Sequence, residues 1–196
     1  MSSKRSATLL AVVVIGVLVV TAAVSSRTAD QQLVLQTGST VKAYLTLAEI
    51  EGGVTEREHA NSIEVLDFNW GLENAVPRAG AQMVAGVGAE FQDLVISKPL
   101  DKASPILALA AAEGRMIQEA ELVFYAQASD DQPTGTIRLT RVRIRSVESG
   151  TGSAAGLTET VSLSFSRVQW TIYHTDERGG RASVVAGWDV AENRGY

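Results

Sequence analysis

Beyond residue 40 the chain alternates. Val41, Ala43, Leu45 and Leu47 fall on one side of an extended segment, with Lys42, Tyr44 and Thr46 on the other. That period of two predicts a half-buried strand. Ile63–Trp70 reads as a second strand ended by Gly71, and Phe91–Ser97 as a third. Between the first two, Glu51-Gly52-Gly53 and the charged run to His59 predict a solvated loop. Ala75–Ala89 shows no usable period and several Gly or Pro residues, and predicts a long loop. Long structureless loops in compact domains are uncommon and tend to be functional.

A single helix stands out. Ser104 suits an N-cap, Pro105 the first helical position, Ile106–Glu113 favours helix, and Gly114 supplies a stop. Glu119–Ala126 alternates again, and after a turn at Asp130–Pro133 come two long strands, Thr136–Ser146 and Leu157–Thr175. Both change phase. Val161, Leu163 and Phe165 are odd-numbered whereas Val168, Trp170 and Ile172 are even, which predicts a β-bulge near Ser166-Arg167. Ser183–Asp189 is the last strand. About eight strands, one helix and no βαβ alternation predict an antiparallel barrel or two-sheet sandwich with one flanking helix.

The first 26 residues differ in kind. Lys4-Arg5 precedes an apolar stretch, and Thr21–Ser26 supplies small residues, the order of a secretory signal peptide. The strict apolar core, Leu9–Val20, is 12 residues. As a helix it spans about 18 Å against a bilayer core of roughly 30 Å. Counting from residue 7 to residue 24 gives about 27 Å, close to that thickness, which leaves room for a retained anchor. Both fates stay open: residues 1–26 as a cleaved signal or an N-terminal anchor, 27–40 as linker, 41–196 as one β domain, exported in either case.

Composition narrows the chemistry. The 196 residues carry no cysteine, which excludes disulfide frameworks, thiolate metal sites and cysteine nucleophiles. A net charge of -5 without a basic run argues against nucleic acid. His59 and His174 lie in no metal-ligand spacing, and no Gly-x-Ser-x-Gly elbow occurs. Gly150-Thr-Gly152-Ser-Ala-Ala155 fits a dinucleotide fingerprint, but a strand pattern follows where a helix is required, so it predicts a flexible loop. The carboxylate pairs Glu49/Glu51, Glu56/Glu58 and Asp130/Asp131 read as solvated turns. Arg138, Arg141, Arg143 and Arg145 predict an outer face paired with glutamates on a neighbouring strand. Trp70, Trp170 and Trp188 predict packing more readily than a sugar platform. No catalytic, cofactor-binding or metal-binding residue is expected.

Four blocks carry a resemblance: Ile50-Glu-Gly52 with His59 and Ile63–Gly71; Leu94–Pro105, containing Lys98, Asp101, Lys102, Ala103, Ser104 and Pro105; Gly114–Leu122; and Glu159–Phe165 with Ala186-Gly187-Trp188-Asp189. Together they resemble the haemolysin-coregulated protein (Hcp) family, the tube subunits of type VI secretion systems. The resemblance runs in unbroken order from Val41 to Tyr196. It implies a closed β-barrel with a flanking helix, hexameric rings that stack into a tube, small effectors carried in the lumen, and no catalytic residues. Residues 1–40 fall outside it, since tube subunits of the family start almost directly at the first strand. Pro77, Arg78, Gln82, Met83 and Val84 in the long loop are candidates for contacts between subunits or rings. A secreted β-sandwich that binds a ligand or carbohydrate is the alternative function on the same elements.

Overall fold

The computed structural model describes residues 42–74, 89–126, 132–152 and 156–196. Twelve strands and one α-helix occur among them. β1 (Lys42–Leu47), β7 (Met116–Tyr125), β8 (Gly135–Gly152), β10 (Arg167–Thr175) and β11 (Arg181–Asp189) pair antiparallel in the order β11-β10-β8-β7-β1. β2 (Ile63–Val65) continues that order beyond β1, and β12 (Arg194–Gly195) closes it beyond β11. β9 (Gly156–Ser164) pairs β8 and β6 (Leu94–Pro99), and β6 also pairs β3 (Asp67–Asn69). Only Leu66 separates β2 from β3, and its N–H donates to the Ser97 carbonyl at 2.8 Å. β4 (Leu72–Asn74) and β5 (Ala89–Phe91) form a separate two-stranded ribbon. The architecture is mainly β, antiparallel, with a single helix among the described residues.

The expected alternation holds in β1. Its Ala43, Leu45 and Leu47 are buried, and so are Leu122 and Ala120 of β7, the register partners of Leu45 and Leu47. Ile63, Val65, Leu94, Ile96, Ile137, Leu139, Val161 and Leu163 join the same core. Helix α1 (Ser104–Glu113) adds Leu107 and Ala110, spaced to lie on one face. It ends at Gly114, whose φ of 61° places it in the left-handed region. There the Gly114 and Arg115 N–H groups donate to the carbonyls of Ala111 and Ala110, a Schellman stop.

The helix start differs from expectation. Ser104 is the first helical residue, Ala103 precedes it in helical geometry, and no side chain caps from the position before the helix. Asp101 takes that role: its Oδ1 accepts the Ala103 N–H at 3.0 Å and its carbonyl accepts the Ser104 N–H at 3.1 Å. The Ser104 hydroxyl is engaged elsewhere, as described below.

The phase change is real, but it is not the predicted bulge. β9 ends at Ser164 and β10 begins at Arg167, yet Arg143↔Ser164 and Thr140↔Arg167 keep one register against β8. Register survives because the neighbours change face at the same level. On β8 the buried set switches from Ile137 and Leu139 to Val142 and Ile144. On β7 it switches from Ile117 to Ala120 and Leu122, with Gln118 and Glu119 both exposed. Arg141, at φ 55°, absorbs the change on β8. The actual slip lies between Ile144 and Ser146, where Arg145 is the extra residue. The Gly150–Gly152 stretch expected as a loop instead extends β8 against β9, with Thr151 opposite Leu157.

The long loop from residue 75 to 88 lies outside the described residues. So do the pair Asp130/Asp131 and residues 1–41, with the leader and linker expected there. The ribbon β4–β5 flanks the loop on both sides, with Leu72 opposite Phe91 and Glu73 opposite Glu90.

A non-glycine residue in the left-handed region costs roughly 1–2 kcal/mol. Arg141→Gly therefore leaves stability unchanged or raises it by up to about 1 kcal/mol, whereas the β-branched Arg141→Val lowers it by about 1–2 kcal/mol. Urea unfolding of the two variants checks the sign of each.

Candidate functional site

Parity along two strands brings a charged pair inside. On β6 the buried positions are Leu94, Ile96 and Lys98, and on β9 they are Glu159, Val161 and Leu163. Lys98 and Glu159 are directly opposed in the register. Lys98 has no exposed surface and Glu159 keeps 4%. A buried charge is tolerable only when paired and fully hydrogen-bonded, and this one is. Lys98 Nζ lies 2.9 Å from Glu159 Oε2, 2.9 Å from Asp101 Oδ1, 2.7 Å from the Pro99 carbonyl and 3.1 Å from Ser104 Oγ. Ser104 Oγ donates to Glu159 Oε2 at 2.6 Å, and Ser149 Oγ donates to Oε1 at 3.1 Å. Burial alone would raise the Glu159 carboxyl, but the hydrogen bonds from Ser104 and Lys98 outweigh it and hold the group below its ordinary value.

This network explains the Leu94–Pro105 block residue by residue. Asp101 joins three segments, since its Oδ2 also accepts the Gly53 N–H at 2.7 Å. Lys102 reaches Glu51 at 3.0 Å and Asn61 at 2.9 Å on the exposed side of the same loop. Ala103 is fully buried, and Pro105 occupies the first turn of α1. Gly52 is required because a Cβ there would stand 2.2 Å from the Ser62 carbonyl oxygen. The ammonium and carboxylates saturate one another. The cluster is a clamp between β6, β9, α1 and the β1–β2 loop, with no nucleophile or open coordination position.

The second predicted group sits on β11. Asp189 faces Arg167 of β10, with Nε to Oδ2 at 2.6 Å, and accepts the Glu192 N–H at 2.9 Å. That backbone donor leads the causes that hold its carboxyl below the usual range, ahead of Arg167. Gly187 lies under the Tyr196 ring, 2.6 Å from where a Cβ would be. Trp188 packs on Phe91 at 6.2 Å between ring centroids, and Phe91 in turn stacks with Trp170, which stacks on Trp70 at 5.1 Å. The three tryptophans cover their faces with one another and with the core.

His59 is also structural. It stacks on Tyr44 at 4.0 Å and shares a 2.9 Å hydrogen bond with the Tyr125 hydroxyl. Tyr44 donates to Glu56 at 2.9 Å, and burial, with that hydrogen bond second, pushes its phenol up to about 12. His174 is exposed at the end of β10. Arg138 pairs with Glu119 and Glu121 as expected. Arg141, Arg143 and Arg145 do not: among the described residues they have no carboxylate partner, and the β7 and β9 positions opposite Arg143 are Met116 and Ser164. Pro77, Arg78, Gln82, Met83 and Val84 lie outside the described residues. No cluster of potential metal ligands occurs among the described ones.

The sequence places Lys98, Asp101 and Ser104 in one block and Glu159 in another, and the blocks themselves do not pair them. The signal was present, since Lys98 continues the parity of Leu94 and Ile96, and Glu159 that of Val161 and Leu163.

Removing one member of a buried, hydrogen-bonded ion pair costs about 3–5 kcal/mol. Lys98→Met and Glu159→Gln should each lose that much in chemical unfolding, and Lys98→Met/Glu159→Leu should recover part of the loss. The pH dependence has a fixed sign. With the folded Glu159 carboxyl below its unfolded value of about 4.3, the stabilisation is complete above that value. It is lost as pH falls through the lowered folded value, so wild type should show a loss of stability below the unfolded value that Glu159→Gln lacks.

Comparison with known proteins agrees with this arrangement. Residues 44–172 match the family described as "Type VI secretion system effector, Hcp". The chain is 29% identical over 157 residues to protein hcp1 of Pseudomonas aeruginosa, covering 78% of this chain and 97% of that one. A solved structure of a type six secretion system protein superposes with a TM-score of 0.70 at 28% identity, over 79% of this chain and 99% of its own. The structure of Hcp1 from Salmonella typhimurium, at 24% identity, shares the fold with a TM-score of 0.65 over 80% of this chain and 99% of its own. With a saturated clamp where its most specific motif lies and a family match over most of its length, the chain belongs to the Hcp family of type VI secretion, whose members are structural tube proteins and not enzymes.

Proposed function

We propose that this chain is a ring-forming subunit whose rings, six subunits each, stack into a tube able to hold small effector proteins. The observation that carries the reading is the open flank of β11. β12 covers only Trp188 and Asp189, so Arg181–Ala186 are paired to β10 on one side alone among the described residues. Val184 and Val185 there are 63% and 53% exposed, beside Ile172 at 47%. An apolar edge of this length is a template for another chain, and stable proteins cover or blunt it. Interlocked tryptophans support a subunit over a glycan-binding module, because their faces are already taken.

The pairing scheme supports a closed barrel for the subunit. From β1 it runs through β2, across Leu66 into β3, then β6, β9, β8, β7 and back to β1. Residues 41–196 serve as the assembling domain, 27–40 as linker, and 1–26 as a signal or anchor that spans the membrane through residues 7–24 if retained. Hcp proteins are secreted by type VI systems, which supports an extracellular destination.

Light scattering and electron microscopy of the chain without residues 1–26 should give a ring of six subunits, and a monomer at high concentration would overturn the assembly reading. Intact-mass measurement of exported protein should place the mature N-terminus after Ala23 or Ser25 if the leader is removed, and at Met1 if it is an anchor.

A further inference from the structure

We infer that the arginine stripe of β8 and the glutamate pair of the β4–β5 ribbon are complementary halves of one contact between copies of this chain. The inference rests on the ring-forming reading and names the surfaces such a contact would use.

Arg141, Arg143 and Arg145 are exposed on β8, opposite in parity to buried Val142 and Ile144. Second neighbours on a strand are about 7 Å apart, so the stripe is a short row of fixed positive charge. Four other arginines are neutralised locally: Arg115 by Glu113, Arg138 by Glu119 and Glu121, Arg167 by Asp189, Arg194 by Glu192. Arg181 instead bonds Gln132 and the Pro133 carbonyl and lies over the Tyr173 ring. The stripe is the one place where three arginines without an acid partner among the described residues follow one another on a strand. None of the three stripe arginines has an acid partner among the described residues, in a chain whose net charge is -5. The acids are available; the fold puts them elsewhere.

One of those places is unfavourable. Glu73 and Glu90 are directly opposed on β4 and β5, and both are exposed. Like charges facing each other across an antiparallel pair destabilise it. Among the described residues the ribbon has no third strand to offset the repulsion, and its Phe91 packs on Trp170 and Trp188 while the glutamates stay exposed. Neither glutamate has a cationic partner among the described residues. A row of guanidiniums from outside would relieve this repulsion, and the glutamates would neutralise the row.

Charge also sets the mode of contact. Stripe against stripe, or ribbon against ribbon, would oppose like charges, so a two-fold symmetric pairing through either surface is disfavoured. Stripe against ribbon opposes unlike charges, and repeated head to tail from copy to copy it is a heterologous contact, which produces a ring when it closes. An acidic cargo protein could also meet the stripe, but it would leave the glutamate repulsion unrelieved, so a second copy accounts for more of the observations.

The test is charge reversal in the full-length protein, read as assembled mass against concentration at low and high salt. Arg143→Glu/Arg145→Glu and Glu73→Arg/Glu90→Arg should each raise the concentration needed for assembly at least tenfold. Combining all four reversals should restore most of the loss. Arg143→Gln/Arg145→Gln provides a milder version should the first variant fold poorly, and thermal unfolding confirms that each variant is folded. Wild-type assembly should weaken with salt. Rings that persist unchanged in both reversed variants, or a quadruple variant that is not rescued, overturn this contact while leaving the ring reading intact. A stripe variant that assembles normally but no longer captures an acidic protein assigns the stripe to cargo and likewise overturns it. A wild-type chain that never assembles overturns both readings.

Discussion

Everything near the helix depends on one ammonium group being kept dry. Lys98 could not sit on a buried face without Glu159 opposite it, and Glu159 needs the hydroxyls of Ser104 and Ser149 for its remaining lone pairs. Asp101 then ties the ammonium to the helix start and to the β1–β2 loop. The desolvation cost of such a group is offset only when every contact is present. Four segments are therefore positioned as a unit: β6, β9, the first turn of α1, and Gly52-Gly53. The displaced helix cap follows from this. Ser104 already stands inside the helix, where its hydroxyl donates to Glu159 and accepts the Asp101 N–H, so Asp101 caps in its place.

The same logic separates inside from outside. Charges that enter the core are satisfied within the chain, as are Arg167 and Asp189 at the far end. The aromatic rings of β5, β10 and β11 consume one another's faces. Unmet capacity accumulates at the surface, in the open backbone of β11, the exposed valines beside it, the β8 arginines and the ribbon glutamates. Two buried indole N–H groups, of Trp170 and Trp188, also lack a partner among the described residues, but the larger part of the unmet capacity faces outward, as suits a building block.

Much of this was legible in period and spacing. The strands of β1, β6, β7 and β11, the single helix and its glycine stop follow from alternation and from residues 104–114. The structural part played by the histidines and tryptophans followed from the absence of any converging set. The serine does not cap because the helix starts at Ser104 itself, and Asp101 takes the backbone donor ahead of it. The bulge was misplaced because a phase change in one strand looks the same whether its neighbours slip or turn with it, and one sequence does not display pairing. The arginine row was expected to find glutamates across the sheet, but register decided which residues stood opposite. Glu159 was missed as the partner of Lys98 because motifs are read in runs, whereas the two lie 61 positions apart.

The shared change of face in β7, β8 and the β9–β10 run has a consequence for how this domain can vary. A single residue deleted from one of those strands at that level would turn half its side chains to the wrong side while its neighbours kept theirs. Relatives could tolerate a length change there only if adjacent strands changed together, so insertions and deletions should avoid this band and collect in the loops. The band around Gln118, Arg141 and Ser166 thus acts as a ruler against which the strands of any relative can be aligned, even where no residue identity survives.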